Sequence, residues 1–240
     1  MLASMREVEE THWWFVARRT LIIAVIERNL PDHATSLLDV GCGTGANLEA
    51  ITRHFPELTT VGLDADSFCL EACSERGLSV RSAAAEQLPV SDGSQDVVTA
   101  FDVLEHVENE VSMLREMVRA LRPGGLAVVT VPAYQWLWGP HDTLTHHHRR
   151  YTRARLVRAI RAVGLETAYA TYFNTLLFPP AAVARLVARA TGRAGDDQTV
   201  PWGPVNTTLR AVFASERLAL GHSVPLPWGL SVLAVARKPG

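Results

Sequence analysis

A doubly wound α/β fold, with helices on both faces of a largely parallel sheet, is predicted by three features of the chain. Short apolar segments alternate with helical ones from residue 37 to residue 131. Runs such as Leu126-Ala127-Val128-Val129 are apolar without interruption, as strands buried on both faces are. The first such run, Leu37-Leu38-Asp39-Val40, meets a glycine-spaced turn that opens a helix.

Each element carries its own signal. Residues 5–29 show helical periodicity, with Trp13, Trp14 and Phe15 early, then Leu21-Ile22-Ile23-Ala24-Val25-Ile26, and Pro31 stops the helix. Strands are expected at 37–40, 60–63, 78–81, 96–101 and 126–131, and helices at 46–54, at 68–76 before Gly77, and at 110–121. Beyond Pro132 the rhythm breaks into Tyr134-Gln135-Trp136-Leu137-Trp138-Gly139-Pro140 and a histidine cluster. It resumes with a helix at 153–163, a strand at 166–172 and a last apolar strand at 228–237. Residues 174–216 read as an insertion, with Pro179-Pro180, a helix bearing Arg185, Arg189 and Arg193 on one stripe, a Gly/Asp-rich linker at 192–197 and an aromatic turn at Trp202. The expected organisation is a helical arm at 1–33 and one domain at 34–240 that carries a helical lid at 174–216.

Composition bounds the function. A chain of 240 residues, 48% of them hydrophobic, is long enough for one sizeable α/β domain and too short for two full enzyme domains. With a net charge of -2 and acids and bases interspersed, there is no global electrostatic case for a nucleic-acid partner. Cys42, Cys69 and Cys73 lack CxxC spacing and are odd in number, which argues against a disulfide framework or a zinc site and fits a reducing, cytoplasmic setting. Arg6, Glu7, Glu9 and Glu10 precede the first apolar stretch, unlike a signal peptide, and no apolar run reaches the roughly 18 residues a membrane span needs.

The turn Gly41-Cys42-Gly43-Thr44-Gly45 reads as a nucleoside-binding loop, because glycines at alternate positions let main-chain groups touch a ligand directly. Gly41-x-Gly43-x-x-Ala46 also satisfies the relaxed dinucleotide fingerprint, and Asp64, ending the second strand, is placed to accept two hydrogen bonds from a ribose diol in either case. Two alternatives follow: an NAD(P)-dependent oxidoreductase using the same loop, and a non-catalytic cofactor-fold binding module. The first lacks a Tyr-x-x-x-Lys pair, the single lysine being Lys238. Against the second stand the intact loop and Asp64.

Ordered motifs beyond the loop break the tie. They are Gly62-Leu63-Asp64, Ala85-Glu86-Gln87-Leu88-Pro89 followed by Asp92-Gly93-Ser94-Gln95-Asp96-Val97-Val98, Phe101-Asp102-Val103-Leu104-Glu105-His106-Val107, and Leu121-Arg122-Pro123-Gly124-Gly125. With them the chain resembles the class I S-adenosylmethionine-dependent methyltransferases, particularly the bacterial small-molecule branch, over residues 37–131. The resemblance implies S-adenosylmethionine as cofactor and a Rossmann-like seven-stranded, mostly parallel sheet with an antiparallel hairpin end. It also implies that Asp39, Gly41, Cys42, Gly43 and Gly45 hold the methionine part, Asp64 with Ala65 the ribose hydroxyls, and Ala85 and Glu86 the adenine edge. Asp102, Val103 and His106 would form the floor beside the sulfonium. One departure is Ala84, where many relatives carry an acid that contacts the adenine amino group; a single exposed hydrogen bond of that kind contributes about 1 kcal/mol.

For the acceptor side, His141-Asp142 and His146-His147-His148-Arg149-Arg150-Tyr151 follow the fifth strand, where acceptor loops emerge in such sheets. Oxygen is the expected acceptor atom, and a hydroxyl benefits from a base of near-neutral pKa, so His141 and His147 are the candidate catalytic residues. A structural tether over the cofactor, and a metal site built from His141, Asp142 and the histidine run, are the competing readings. No metal is expected, since consecutive histidines point in different directions on most backbones. Glu105 and His106 read likewise as a helix cap and a packed histidine, against a metal pair with a third ligand elsewhere. Arg149, Arg150 and Tyr151 are candidates for binding an anionic acceptor or closing a lid.

The arm segment His12-Trp13-Trp14-Phe15-Val16-Ala17-Arg18-Arg19 resembles a pattern of one subgroup of these methyltransferases, where it accompanies a segment like His141 to Tyr151. Trp13 and Trp14 either cover the sulfonium by cation-π attraction or staple the arm to the domain, and Arg18 either contacts an acceptor anion or lies on a solvated face. The arginine stripe suits a helix on an anionic membrane surface, a cap on a hydrophobic acceptor, or a lid packed on its own domain or across a homodimer. The expected acceptor is a small molecule, a sugar or a lipid-linked compound.

Overall fold

One mixed sheet runs through the molecule, formed by β1 (Ser36–Val40), β2 (Thr59–Asp64), β3 (Val80–Ser82), β4 (Gln95–Phe101), β5 (Leu121–Pro132), β6 (Glu166–Phe173) and β7 (Ser231–Arg237). Their spatial order is β3-β2-β1-β4-β5-β7-β6. The computed structural model describes residues 6–191 and 200–240. The linker expected at 192–197 and Arg193 lie outside the described residues, as does the side chain of Arg189. Strands β1 to β5 pair in parallel, Leu38 standing opposite both Val61 and Val98, and β7 runs antiparallel to β5 and to β6. The chain order reverses between β1 and β4, which opens a crevice at the carboxyl ends of these two strands.

Helices cover both faces. On one lie α1 (Trp13–Asn29), α2 (Ala46–His54), α8 (Gly203–Ser215) and α9 (Arg217–Gly221), sharing a core that includes Leu21, Ile22, Val25, Leu48, Ile51, Phe213 and Leu220. The other face is covered by α4 (Glu110–Ala120) and α6 (Arg153–Ala162) through Met113, Leu114, Met117, Leu156 and Ile160. Between β2 and β3 runs α3 (Ser67–Glu75), and beyond β5 come the short α5 (Pro140–Leu144) and, after β6, α7 (Phe178–Thr191). Ala17, Leu21 and Val25 recur every four residues on α1 and are 1% exposed or less, so this helix is part of the sheet's cover. Side-chain caps start several helices, each contributing about 1 kcal/mol: Asp66 for α3, Asn109 for α4 and Thr152 for α6.

Three boundaries differ from expectation. Instead of one helix from residue 5, a helical stretch at 6–8 breaks before α1, because the His12 ring accepts a hydrogen bond from Trp14 N at 3.2 Å and caps a new start. Strand β5 begins at Leu121, which pairs with Gln95; Gly124, at φ 77°, donates to Lys238 O, so the Pro-Gly-Gly turn is absorbed as a kink. The last strand starts at Ser231, past the Trp228 turn. Among the described residues no helix is long and apolar enough to cross a membrane.

Candidate active site

The donor side forms where β1, β2 and β4 end. Gly41, Gly43 and Gly45 all have positive φ, between 57° and 87°, which costs little only for glycine. At Gly41 there is a second reason: a Cβ would lie 2.5 Å from the Val103 side chain, so the loop and the β4 exit are in direct contact. Gly41 N and Cys42 N both donate to Leu63 O, which fixes the loop on β2. Asp64 Oδ2 accepts from Gly43 N at 2.8 Å and Oδ1 from Asp66 N at 2.9 Å, so the expected ribose acid also holds the loop in shape. Ala65 is exposed beside it. Ala83 N donates to Asp64 O, bringing the turn that contains Ala85 and the exposed Glu86 to the same edge.

Asp39 is 1% exposed and accepts from Thr99 Oγ1 at 2.6 Å. Burial pushes its pKa up to about 7, although the Thr99 hydrogen bond and Arg18 pull the other way. Asp102 follows β4 at φ 56° and forms a buried bridge with α1: Arg18 Nη2 lies 2.7 Å from Asp102 Oδ2 and donates to Thr130 Oγ1 at 2.8 Å. The guanidinium stacks over the Trp14 ring at 5.0 Å and the Phe101 ring at 5.9 Å. Arg18 therefore lies beneath the donor site, and Trp14 covers Arg18. Trp13 is placed otherwise, its ring edge-on to Phe213 at 5.9 Å and its main-chain N–H donating to Asn206 Oδ1, which is a packing role toward α8.

Sequence reasoning missed Glu9. It is 3% exposed, accepts from Thr44 Oγ1 of the glycine loop at 2.5 Å and pairs with Arg76 Nη2 at 2.7 Å. The segment before α1 is thereby attached to the loop. Nothing in the run Glu7, Glu9, Glu10 distinguishes the buried acid from its neighbours, because the partners lie 35 and 67 residues away.

The histidine segment is drawn to the same edge. Tyr151 N donates to Pro132 O, Tyr134 N to Tyr151 O, and His148 N to Glu105 O at 2.7 Å, stitching residues 133–151 to the exits of β4 and β5. Asp142, with no solvent exposure, is the hub: Oδ1 lies 2.8 Å from His147 Nδ1, and Arg150 donates from Nε to Oδ1 and from Nη2 to Oδ2. Desolvation opposes ionisation of Asp142, but His147, Arg150 and Gly139 N outweigh it and hold the carboxyl well below the usual range. The His147 ring meets His106 edge-on at 4.5 Å and His141 at 6.0 Å. Although part of His106 is open to solvent, the protein around the rest of the ring, and then His147, push its pKa down to about 4. Glu105 is fully buried, and neither carboxylate oxygen has a hydrogen-bond partner.

Two candidate acceptor residues make contacts inside the protein. Tyr151 is 0% exposed and its hydroxyl donates to Glu110 at 2.5 Å, so it supports the loop from below and no face of it is open to an acceptor. Arg149 donates to Glu108 O at 2.7 Å and pairs with Glu110 at 3.3 Å, which fastens the segment to the start of α4. An aromatic wall stands nearby: Tyr134 stacks on Tyr172 at 5.1 Å and meets Trp136 at 5.8 Å and Phe178 at 5.6 Å. Arg185 of α7 donates to Leu137 O at 2.7 Å and holds that helix over the wall.

Known proteins resemble this chain in sequence and fold. A family model described as a methyltransferase domain matches residues 38–129. An uncharacterized methyltransferase of Mycobacterium sp. (strain KMS) is 36% identical over 125 residues, 49% of this chain and 50% of that protein. The match thus spans about half the length of that relative. A Mycobacterium tuberculosis (strain ATCC 25618 / H37Rv) protein named "Probable S-adenosylmethionine-dependent methyltransferase" is 26% identical over 243 residues, covering 97% of this chain and 86% of that one. Among solved structures, the Haloferax volcanii protein found in complex with the Trm112 methyltransferase activator superposes with a TM-score of 0.63 at 20% identity, covering 100% and 94% of the two chains. The sheet order, the glycine loop and its acids define a nucleoside-binding α/β protein of the methyltransferase type. Residues 38–129 thus match a methyltransferase domain, and the chain as a whole is similar to S-adenosylmethionine-dependent methyltransferases.

Proposed function

We propose that this chain transfers the methyl group of S-adenosylmethionine to a hydroxyl oxygen of a small-molecule, sugar or lipid-linked acceptor. The observation that carries the proposal is the adjacency of its two half-sites. Val103 touches Gly41 of the donor loop, and three residues later His106 meets His147 of the acceptor loop. Methyl transfer is an in-line displacement, so the main tasks are alignment and exclusion of water. The bound cofactor supplies the electrophilic carbon. Gly41, Gly43, Gly45 and Asp39 would hold its methionine part, Asp64 its ribose, and Ala85 with Glu86 its adenine edge. As the acceptor oxygen bonds to the methyl carbon, the carbon–sulfur bond breaks and the hydroxyl proton must leave. In this reading His141 or His147 accepts that proton as general base, and the Asp142 contact that fixes the His147 ring supports the role.

An apolar acceptor fits the wall of Tyr134, Trp136 and Phe178, with Leu176, Val183, Leu186 and Val187 exposed on and beside α7. The same exposed residues support contact with a lipid surface that presents the acceptor. The test is a methyl-transfer screen with isotopically labelled S-adenosylmethionine against hydroxyl, amine and carboxyl compounds, polar and lipid-linked. Label on a hydroxyl acceptor supports the proposal, and label confined to amines or carboxylates overturns the choice of oxygen.

A further inference from the structure

We infer that Glu105, His106 and His147 form a binding site for one divalent transition-metal ion. Each offers one ligand atom, and the three atoms lie within 4.8 Å of one another. Ligands of about 2.0–2.2 Å bond length stand roughly 3–3.5 Å apart around a single ion, so the three side chains close in by about 1 Å on binding.

Two features point to a cation. Glu105 is fully buried with both carboxylate oxygens unpartnered, a costly state for a polar group that a bound cation relieves. His147 Nδ1 is held by Asp142 at 2.8 Å. An outer partner of this kind fixes the tautomer and leaves Nε2 to a metal. Asp142 is itself locked by the Arg150 fork, so the support extends one layer further. The ligands come from two loops joined by the bond from His148 N to Glu105 O, which keeps the β4 exit and the histidine segment in register.

Two imidazoles and one carboxylate favour zinc, iron(II), cobalt(II) or nickel(II) over magnesium or calcium, which prefer all-oxygen sites. Three protein ligands leave at least one position open. Given the proposed methyl transfer, on which this role alone rests, that position takes the acceptor oxygen: the ion lowers its pKa, its proton passes to solvent, and the oxygen bonds to the methyl carbon as the carbon–sulfur bond breaks. His147 then acts as a ligand, with Asp142 as its positioning residue.

The test uses the full chain, stripped with a chelator and titrated with cobalt(II), followed by calorimetry and visible absorption. One equivalent should bind with a visible spectrum of nitrogen and oxygen ligation. Glu105→Gln and the partly exposed His106→Ala should each weaken it at least tenfold, with unchanged circular dichroism showing that both variants are folded. Absence of stoichiometric binding, equal affinity in both variants, or a sulfur-to-cobalt charge-transfer band placing the ion on Cys42 and Cys73 would overturn the site. Metal binding without any methyl transfer would leave the site standing and remove only its role in the reaction.

Discussion

Arg18 Nη2 sits 2.7 Å from Asp102 Oδ2, so the first helix is joined by a buried ion pair to the residue that leaves β4 beneath the donor site. Removing Arg18 leaves a carboxylate that is 24% exposed without its counter-charge. Arg18→Ala should therefore lower unfolding stability by about 1.5–3 kcal/mol, read from urea titration. Arg18→Lys should recover only part of this, since an ammonium lacks the planar group stacked on Trp14. In Arg18→Ala/Asp102→Asn the loss should be smaller than the sum of the single losses, and additivity would contradict the pairing.

Asp64 has two tasks, because it accepts from Gly43 N and stands where a ribose diol would bind. Asp64→Ala should weaken S-adenosylhomocysteine binding by about 1–3 kcal/mol in calorimetry. Unchanged affinity would sink the ribose assignment.

Asp39 links stability to pH. Its pKa rises from an ordinary 3.8 to about 7 on folding, so the folded state retains a proton that the unfolded chain has lost. The stabilisation this gives is complete below the unfolded value and disappears as pH rises through 7, a change of roughly 4 kcal/mol across that window. Asp39→Asn should flatten this part of the pH dependence of the ligand-free protein while keeping the Thr99 hydrogen bond. Parallel curves for the two proteins would show that Asp39 does not titrate in this range.

Asp142 orients His147 without facing the acceptor. In Asp142→Asn, turnover should fall by about ten- to a hundredfold with little change in S-adenosylhomocysteine affinity, as expected for a lost supporting partner. A weakened cofactor affinity at full turnover would place Asp142 in the donor site instead.

Much of this was legible because it is local or periodic. The apolar runs from Leu37 and Leu126 became central strands, and the glycines at 41, 43 and 45 occupy the left-handed conformations their spacing implied. Asp64 ends β2 beside the loop, as its place after Gly62-Leu63 suggested. What escaped depends on distant partners. Asp142 became a hub only when folding brought His147 and Arg150 around it, and Glu105 shows its burial only in three dimensions. Tyr151 ends the histidine segment as if to face a ligand, yet the approach of Glu110 turns it inward. His12 divides the first helix through a hydrogen bond that periodicity does not encode.

The nucleoside that the glycine loop accepts decides the activity of the chain. Calorimetric titration of the full chain with S-adenosylhomocysteine and, separately, with NAD tests this most directly. One equivalent of S-adenosylhomocysteine should bind, with no heat from NAD and with weakening by Asp64→Ala. Binding of NAD without S-adenosylhomocysteine would contradict the methyltransferase reading.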